Sequence, residues 1–546
     1  MSWIAIPGVL VLLAAAWWLS VERSSIRLRP VIWGLLLQVI LAIAVLRRDV
    51  WSFVGMAVLG LLVVAFLIER ATPEGSLRLS TRALVLAGAV VLGAVLASLP
   101  PAFTASLFLA LALFNWIFGK RLHATIRCGI GALIAIASIG WLAAAGVSGR
   151  ELFQRIGVAI TELLTLADYG SRFLFGNLVD ESLYFPAADA GWPGFGYLFA
   201  FKLLPIIVFF GGLTAVLYYL GWMQRSIEAL SKFLRWTTGT SGAETLCASA
   251  NIFIGQTEAP LLIRPFIERS TRSELVTLMV AGFATLSGGS IAAYAAMGIP
   301  VEHLVAASAM SAPAALVVAK IIHPEVGLPE TSGDVDLPRL DSGSNVLEAA
   351  SRGISDGLRL AVNVGAMLIG FIALVALADW ALNSIDRWID GRWLAGLRPG
   401  WGEPVTYPES GMSPATSEYR GIFPGSLQTL FGTLLAPVAW LIGIPAAETQ
   451  TVGGLLGLKL SLNEFVAYSV LRHQAEAGAL SERTIALSTY ALCGFANFGS
   501  VGIQIGGFGA LAPSRRAELS RFCTRAMLGG ALASLMTAAI ASLFLT

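Results

Sequence analysis

The chain has 546 residues, of which 56% are hydrophobic and only 13% are charged. A soluble protein of this length would need more charge on its surface. The composition therefore excludes a soluble globular protein and predicts an all-α polytopic membrane protein embedded in a lipid bilayer. The formal net charge is +2 and no basic tail or basic-aromatic patch is present, so nothing favours nucleic acid as a partner.

Residues 1–150 contain six apolar segments, each about long enough to cross a bilayer. They lie at 4–20, 31–46, 51–68, 83–99, 103–118 and 128–147. The loops within the three helical pairs carry most of the positive charge, at Arg23, Arg27, Arg29, Arg70, Arg78, Arg82, Lys120, Arg121 and Arg127. Because basic loops favour the cytoplasm, the pattern predicts three transmembrane hairpins with the N-terminus outside.

An amphipathic stretch, Gly149–Ala167, follows these hairpins and predicts a helix that lies along the membrane interface. Gly170–Leu178 and the Gly/Pro-rich stretch 186–196 predict a turn region, so that 151–196 forms one interfacial unit. The next apolar span is 197–220.

Two landmarks recur in the same order along the rest of the chain. Gly239–Thr245 resembles Gly443–Thr449, and Gly282–Gly288 resembles Gly494–Ser500. The first copy begins on the cytoplasmic side and the second begins outside, which predicts an inverted repeat of the kind found in secondary transporters. The predicted units are a first repeat at 197–323, a cytoplasmic linker at 324–357 and a second repeat at 358–546.

The remaining apolar segments complete the predicted topology. Further spans are expected at 275–297, 303–322, 358–383 and 527–545. Together with the N-terminal pairs they give about twelve spans and two re-entrant hairpins, with both termini outside. The loop 384–425 is then also outside. The apolar segment 427–444 would break the alternation if it crossed, so an outer interfacial helix is predicted there.

A polar island interrupts the first repeat at Asn251–Pro260. A glycine and a proline within it disfavour a continuous helix, and its amide, hydroxyl and carboxylate groups are costly in lipid. A re-entrant hairpin would bury the tip inside the protein, where irregular backbone can line a cavity. The alternative is that Glu258 only pairs with a buried arginine or lysine.

A second island, Gly457–Tyr468, brings Asn463 and Glu464 to the tip of a second predicted hairpin. A buried carboxylate suits the neighbouring hydroxyls of a sugar, because it accepts charge-assisted hydrogen bonds on both oxygens. The alternative is a structural ion pair between Lys459 and Glu464.

Small and polar residues interrupt two apolar spans, at Gly282–Ser290 and Gly494–Gly507. Broken helices leave unpaired carbonyl and N–H groups that can bind a cation or a substrate. Close packing of helices through small residues is the alternative. Asn497 and Ser500, which lie close to Phe495, favour a binding site.

Five motifs together resemble one known family. They are Gly255–Pro260, Asn463–Tyr468, Cys493–Ser500, Phe173–Gly176 and Leu360–Met367. The family that they resemble is that of the concentrative nucleoside transporters, which are sodium/nucleoside symporters. The resemblance covers about 150–546, and 8–47 is similar to the first two helices of the family. Residues 51–147 and the long outer loop 384–425 depart from the family pattern.

The resemblance implies a nucleoside site and a sodium site. The residues expected at the nucleobase are Gln256, Thr257 and Glu258, with Ser290 and Phe495 nearby, and those expected at the ribose are Glu464, Asn497 and Ser500. The groups expected around a co-transported sodium ion are the side chains of Asn251 and Thr285 and the backbone carbonyls of Ile254 and Leu286. The resemblance also implies a homotrimer, an elevator-like motion and no organic cofactor.

The sequence therefore predicts a plasma-membrane symporter, in the inner membrane of a Gram-negative cell, that imports nucleosides with sodium and is not an enzyme. Sodium is favoured because the side chains expected around the ion are neutral. Coupling to protons, with Glu258 or Glu464 titrating, is the main alternative. An intramembrane enzyme that uses these two glutamates as an acid–base pair and a passive channel are further alternatives.

Overall fold

The computed structural model describes residues 2–71, 79–119, 121–179, 198–333, 343–405 and 418–545. Most of these residues are helical. Among them, only Pro404–Val405 (β1) and Glu418–Tyr419 (β2) form strands, which pair antiparallel. The all-α fold class is confirmed. Parts of five predicted loops lie outside the described residues, namely 72–78 (with Arg78) and Lys120 in two of the basic loops, 186–196 in the turn region, 334–342 in the linker and 406–417 in the outer loop.

Six helices form the N-terminal region, one for each predicted apolar segment. Their bounds are α1 Ala5–Trp18, α2 Leu28–Leu46, α3 Val50–Ala71, α4 Leu79–Ala97, α5 Pro101–Phe118 and α6 Ala124–Ala144. Helices α3, α4 and α5 pack against α6, and α3 also packs against α2. The Ser52 hydroxyl fixes the latter junction, because it donates to the Ala44 carbonyl at 2.7 Å and accepts from the Gly149 amide at 2.9 Å.

The amphipathic helix predicted next is present as α7 (Gly149–Thr165). The turn predicted at 170–178 is wrong in its first part, because α8 (Ala167–Phe175) is helical through Phe175. A single glycine inside a helix costs only about 1 kcal/mol, so Gly170 does not stop this run. Gly176, whose φ is +56°, follows the end of α8 instead.

The first repeat contains a continuous span, a helical hairpin, a broken span and a second continuous span. After a single helical turn at Phe199–Lys202, its helices are α9 Leu204–Tyr219, α10 Trp222–Thr238, α11 Gly242–Asn251, α12 Arg264–Ile267, α13 Arg272–Ala284, α14 Gly288–Ala296 and α15 Val301–Ile322. Hairpin 1 consists of α11, an irregular tip, the 3-10 turn Ala259–Ile263 and α12. The predicted break in the next span separates α13 from α14.

The second repeat has the same order of elements. Its helices are α16 Val346–Trp388, α17 Leu427–Leu441, α18 Thr449–Ser461, α19 Glu464–Glu476, α20 Glu482–Leu492, α21 Phe498–Leu511 and α22 Arg516–Phe544. Hairpin 2 consists of α18 and α19, and the second break separates α20 from α21.

The two repeats correspond with an offset of 210 residues at the broken spans and at the ends of the first hairpin helices, Asn251 and Ser461 (461 − 251 = 210). Helix α13 starts at Arg272 and α20 starts at Glu482 (482 − 272 = 210). The caps of α14 and α21, Ser287 and Asn497, have the same offset (497 − 287 = 210). The motif match seen in the sequence has an offset of 212 (494 − 282). The motif match is therefore two residues out of register with the structure. The difference arises at the helix ends, because α20 ends at Leu492, two residues before the position that corresponds to the end of α13.

Helix α16 begins at Val346, so residues 346–357 of the predicted linker 324–357 are helical. The Asn345 side chain caps this helix by accepting a hydrogen bond from the Glu348 amide at 2.9 Å. Because α16 has 43 residues, it is about 65 Å long at the usual rise per residue. It packs against α9 through glycines, since a Cβ at Gly211 would lie 2.6 Å from the Gly353 carbonyl oxygen.

Helix α17 packs along hairpin 2 in the same close manner. A Cβ at Gly453 would lie 2.7 Å from the Gly432 carbonyl oxygen, so no larger side chain fits between α17 and α18. The outer interfacial position predicted for 427–444 stays a prediction.

Carboxylates buried at the end of α16 anchor the loop that contains β1 and β2. Asp386 accepts a hydrogen bond from the Tyr419 amide at 2.8 Å, and Asp390 accepts one from the Phe423 amide at 2.7 Å. The described parts of the predicted outer loop are therefore attached to the second repeat.

The core lies in α13 and α15, in which nearly every residue is buried. Lys320 of α15 forms ion pairs with Glu244, at the start of hairpin 1, and with Glu325 at 3.5 Å. The start of hairpin 1 is thus attached to this buried core through Lys320.

Candidate functional site

One cavity of about 170 Å³ lies between the two hairpin tips, the two helix breaks, α9 and α16. All eight side chains that the resemblance implied for the substrate line this cavity, namely Gln256, Thr257, Glu258, Ser290, Glu464, Phe495, Asn497 and Ser500. Two of them, Gln256 and Ser500, are 244 residues apart in the chain and still share a hydrogen bond. The binding role of these residues stays a prediction.

The tip of hairpin 1 faces the cavity because α11 ends at Asn251, before the polar residues 256–258. The Gly255 carbonyl accepts hydrogen bonds from the Glu258 amide at 3.2 Å and the Ala259 amide at 3.0 Å, which forms the turn that follows. The side chains of Thr257 and Glu258 are exposed. Within the described residues Glu258 has no ion-pair partner, so the alternative in which it pairs with a buried arginine or lysine is wrong.

Glu464 is held in place by three neighbours. It is the first residue of α19, and the Asn463 side chain caps that helix by accepting from the Val466 amide at 2.9 Å. The Glu464 carboxylate accepts hydrogen bonds from the Tyr294 hydroxyl and the Asn497 amide, each at 3.0 Å. A helix N-terminus also favours a negative charge. Glu464 is 6% exposed, and these groups stabilise its carboxylate although no cationic side chain of the described residues lies at hydrogen-bond distance.

Asn497 connects this carboxylate to the second helix break. Its Nδ2 group donates to Glu464, while its Oδ1 atom accepts from the Ser500 amide at 2.7 Å and caps α21. The orientation of the Asn497 amide is therefore fixed at both ends.

A second set of hydrogen bonds connects hairpin 1 to the second repeat. Gln504 donates to the Gln256 side-chain oxygen at 3.0 Å, and the Gln256 side chain in turn donates to the Ser500 hydroxyl at 3.3 Å. Gln504 is further held by the Met279 carbonyl at 3.2 Å. The side-chain amide of Gln256 thus points into the cavity with both of its polar atoms engaged.

Sequence reasoning missed Tyr294 and Gln504. A tyrosine or glutamine in an apolar helix gives no signal of function by itself. In the structure the two residues occupy equivalent positions of the repeats (504 − 294 = 210), whereas the motif match in the sequence, with its offset of 212, does not align them. Each lies in the second half of a broken span and binds the hairpin of the other repeat, Glu464 in one case and Gln256 in the other.

The first helix break contributes Ser290 and a link to hairpin 1. The Ser290 and Ser287 hydroxyl oxygens are 2.9 Å apart, and Ser287 caps α14. The Gly288 amide donates to the Phe253 carbonyl at 3.1 Å, which joins the tip of hairpin 1 to this break.

Lys459 does not form the ion pair with Glu464 that was the alternative for hairpin 2. Its ammonium group donates instead to the backbone carbonyls of Ala491, at 2.9 Å, and Cys493, at 3.2 Å. Both carbonyls lie at the end of α20, where the helix break leaves them without intrahelical partners.

The four residues implied for sodium lie at the end of hairpin 1 and at the first break. Asn251 and Thr285 are each 1% exposed, and the Asn251 Oδ1 atom accepts no hydrogen bond in the described parts of the chain. The Thr285 hydroxyl donates to the Ala281 carbonyl at 2.8 Å, which leaves its lone pairs free. Among the described residues, the carbonyls of Ile254 and Leu286 also accept none. Neutral oxygens of this kind suit a hard monovalent cation.

Comparisons with protein families cover most of the chain. The model described as the Na+ dependent nucleoside transporter N-terminus matches residues 7–72, that described as nucleoside recognition matches 200–301, and that described as the Na+ dependent nucleoside transporter C-terminus matches 303–542. The first match includes α3, so the departure from the family pattern does not begin at residue 51. Helices α4, α5 and α6 lie between the first two matches.

Individual proteins and structures agree with these matches. The nucleoside permease NupC of Helicobacter pylori is 36% identical over 439 residues, 80% of this chain and 96% of that protein. An uncharacterized transporter of Haemophilus influenzae is 40% identical over 434 residues, 78% of this chain and 93% of that protein. The structure of CNTnw in an inward-facing substrate-bound state is similar with a TM-score of 0.70 and 30% identity, and the match covers 100% of this chain and 99% of that one.

A CNTnw variant in an outward-facing state is similar to the same degree, with a TM-score of 0.70, 30% identity and coverage of 100% of this chain and 97% of that one. The similarity is thus not restricted to one conformation of the relative. With matching family models at both ends and relatives aligned over almost their whole length, the chain belongs to the family of Na+-dependent, or concentrative, nucleoside transporters.

Proposed function

We propose that this protein is a secondary active transporter that imports nucleosides across the plasma membrane, driven by co-transported sodium. The observation that supports this most directly is the shared construction of the cavity. Each broken span reaches across to the hairpin of the other repeat, through Tyr294 to Glu464 and through Gln504 to Gln256. A polar site between inverted repeats is typical of transporters that expose one site alternately to the two sides of a membrane.

The polar groups of the cavity suit the two halves of a nucleoside. Each oxygen of the Glu464 carboxylate accepts one hydrogen bond from the protein and has the capacity for another, so the group can accept from two neighbouring ribose hydroxyls. Asn497 and Ser500 are bonded to each other beside it. We assign the ribose to these three residues. The nucleobase is assigned to Gln256, Thr257 and Glu258, with Ser290 and Phe495 nearby.

Sodium would bind where hairpin 1 meets the first break. Its ligands would be the side chains of Asn251 and Thr285 and the carbonyls of Ile254 and Leu286, which come from both segments. An ion held by both would order the tip that carries residues 256–258 and so prepare the cavity for the substrate. Coupling follows if the ordered tip binds nucleoside more tightly than the free one.

The transport motion and the assembly are part of the proposal. The hairpins and broken spans would move as one unit, like an elevator, against a scaffold that includes α9 and α16. We further propose a homotrimer with both termini outside the cell, located in the inner membrane if the cell is Gram-negative.

The family assignment favours transport over the intramembrane enzyme considered from the sequence. Coupling to protons is the alternative that the experiment below has to separate from coupling to sodium.

The test is uridine uptake by the purified protein in liposomes, with an inward sodium gradient compared with a matched choline gradient. We expect accumulation only with sodium. Accumulation driven by an imposed pH gradient without sodium would replace the ion with a proton. Equilibration without accumulation would indicate a passive channel, and no flux of uridine or adenosine would overturn the assignment of nucleosides as substrates.

A further inference from the structure

Lys459 is a buried cationic side chain that the proposed transport mechanism does not use. It is 2% exposed, and its ammonium group donates to the carbonyls of Ala491 and Cys493 at 2.9 and 3.2 Å. No carboxylate within the described residues lies at ion-pair distance from it. Burying an ammonium group is costly unless its surroundings are strongly negative.

The end of α20 supplies such surroundings. The last carbonyls of a helix have no intrahelical donors and carry the negative end of the helix dipole, about half an elementary charge. Helix α20 ends at Leu492 inside the protein, and its final carbonyls converge on the Lys459 ammonium group. The lysine therefore acts at this break as a bound cation would.

The first repeat has the same helix break, but the residue at the position of Lys459 is uncharged. With the offset of 210 residues, Lys459 corresponds to Ser249 and the acceptor Ala491 corresponds to Ala281. Ser249 is fully buried, and its hydroxyl has no hydrogen-bond partner among the described residues. The neighbouring Asn251 Oδ1 atom is also without a donor there. The second break is thus neutralised by a lysine, while at the first break the Ala281 carbonyl accepts a hydrogen bond from the Thr285 hydroxyl and the side-chain oxygens of Ser249 and Asn251 are without donors among the described residues.

We propose that Lys459 is the tethered cation of the second repeat, so that the protein binds a single exchangeable cation, at the first repeat only. The inference rests on the proposed function, which places sodium at the first break. It extends that function by naming the group that determines how many cations are transported with each nucleoside.

Exchanging the side chains at positions 459 and 249 tests the proposal at both helix breaks. In Lys459→Ser, the carbonyls of Ala491 and Cys493 lose their cation and the side chain becomes the one found at Ser249. We expect a second sodium ion to bind there and uridine binding to require both ions, so the Hill coefficient for the sodium dependence of uridine binding should rise from about 1 towards 2. In Ser249→Lys, an ammonium group enters the first repeat, and uridine binding should no longer require sodium.

The measurements are the sodium dependence of thermal stability of the purified protein, which needs no transport, and the sodium dependence of uridine binding. Lys459→Arg keeps the charge and should retain a single sodium site. Lys459→Met and Ser249→Met match the lysine in length without its charge, so they separate charge from volume. Sodium-independent binding in Ser249→Met as well as in Ser249→Lys would overturn the proposal, because charge would then not be the cause.

The outcomes distinguish this inference from the proposed function. If the unmodified protein shows no stabilisation by sodium and no sodium-driven uptake, the proposed function fails. If the unmodified protein responds to sodium but folded Lys459→Ser keeps the same Hill coefficient, the tethered-cation role is wrong. Should Lys459→Ser not fold, Ser249→Lys decides, and a continued sodium requirement there would overturn the inference.

Discussion

Position 464 shows how a single carboxylate can be kept inside this membrane protein. Glu464 starts a helix, so its charge lies at the positive end of the helix dipole, and Tyr294 and Asn497 each donate a hydrogen bond to it. These donors leave one acceptor position on each oxygen. The same geometry that stabilises the charge therefore leaves it available to a ligand with two adjacent hydroxyl groups.

Replacing Glu464 by glutamine should sharply reduce uptake while leaving the fold intact. The amide has the same shape but loses charge-assisted hydrogen bonds worth about 1.5–3 kcal/mol each, so we expect kcat/KM for uridine to fall roughly ten- to a hundredfold or more. Glu476→Gln is the matched control, because Glu476 lies on the same helix and pairs with Arg472 at the surface. Near-normal uptake by Glu464→Gln would remove its assigned role.

The Tyr294 hydroxyl can be tested in the same way, since it donates a hydrogen bond to Glu464 although no sequence motif indicated a role in the site. Tyr294→Phe removes one charge-assisted hydrogen bond, so the apparent KM for uridine should rise about tenfold or more. Tyr468→Phe is the control, because that buried hydroxyl donates to the Thr489 carbonyl and not to the site. Equal effects of the two variants on KM would show that Tyr294 contributes only to packing.

At the scale of the elements, the breaks and hairpin tips could be predicted from the sequence. Glycine, proline and clustered polar residues are rare in apolar helices, so Asn251–Pro260 and Gly494–Ser500 were clear signals. The start of α16 at Val346 and the helix at Ala167–Phe175 could not be predicted in this way. Capping by Asn345 and the tolerance of one glycine within a helix both depend on local geometry.

The contacts of the site required the three-dimensional structure for a different reason. Tyr294 and Gln504 belong to helices whose other residues are apolar, and only packing shows which hairpin each one reaches. The carbonyls that hold Lys459 are backbone groups, which leave no trace in the identity of Ala491 or Cys493. An ion pair between Lys459 and Glu464 was therefore the alternative that the sequence suggested.

Gly494 is the residue on which the contact between the two breaks depends. Its φ is +110°, and a Cβ there would lie 2.6 Å from the Phe283 carbonyl oxygen. Gly494→Ala should therefore destabilise the protein by about 1–3 kcal/mol, measured as a lower Tm of the purified protein. Gly506→Ala is the control, because it lies within α21 with no atom within 4 Å of the added Cβ. An unchanged Tm for Gly494→Ala would contradict this account.

At the scale of the whole molecule, α4 and α5 form a separate layer. They pack on α3 and α6 and lie between the regions matched by the family models. Removing 79–119 deletes two spans and so preserves the orientation of the rest. We expect sodium-dependent stabilisation and uridine binding to be retained.

The larger deletion of 51–147 provides a comparison, because it also removes Ser52 and its contacts to Ala44 and Gly149. It should lower the Tm more than the deletion of 79–119. Loss of uridine binding in a well-folded 79–119 deletion would show that α4 and α5 are more than an accessory layer.

The crossed pairing of Tyr294 with Glu464 and of Gln504 with Gln256 has a consequence for how the chain can be divided. A half-length polypeptide would carry one hairpin and one broken span, and so one partner of each bond. It could complete both bonds only by meeting the other half, inserted in the opposite orientation. Either half of this chain produced alone would therefore hold an incomplete site, and co-production of the two halves as separate polypeptides should be needed to restore uridine binding.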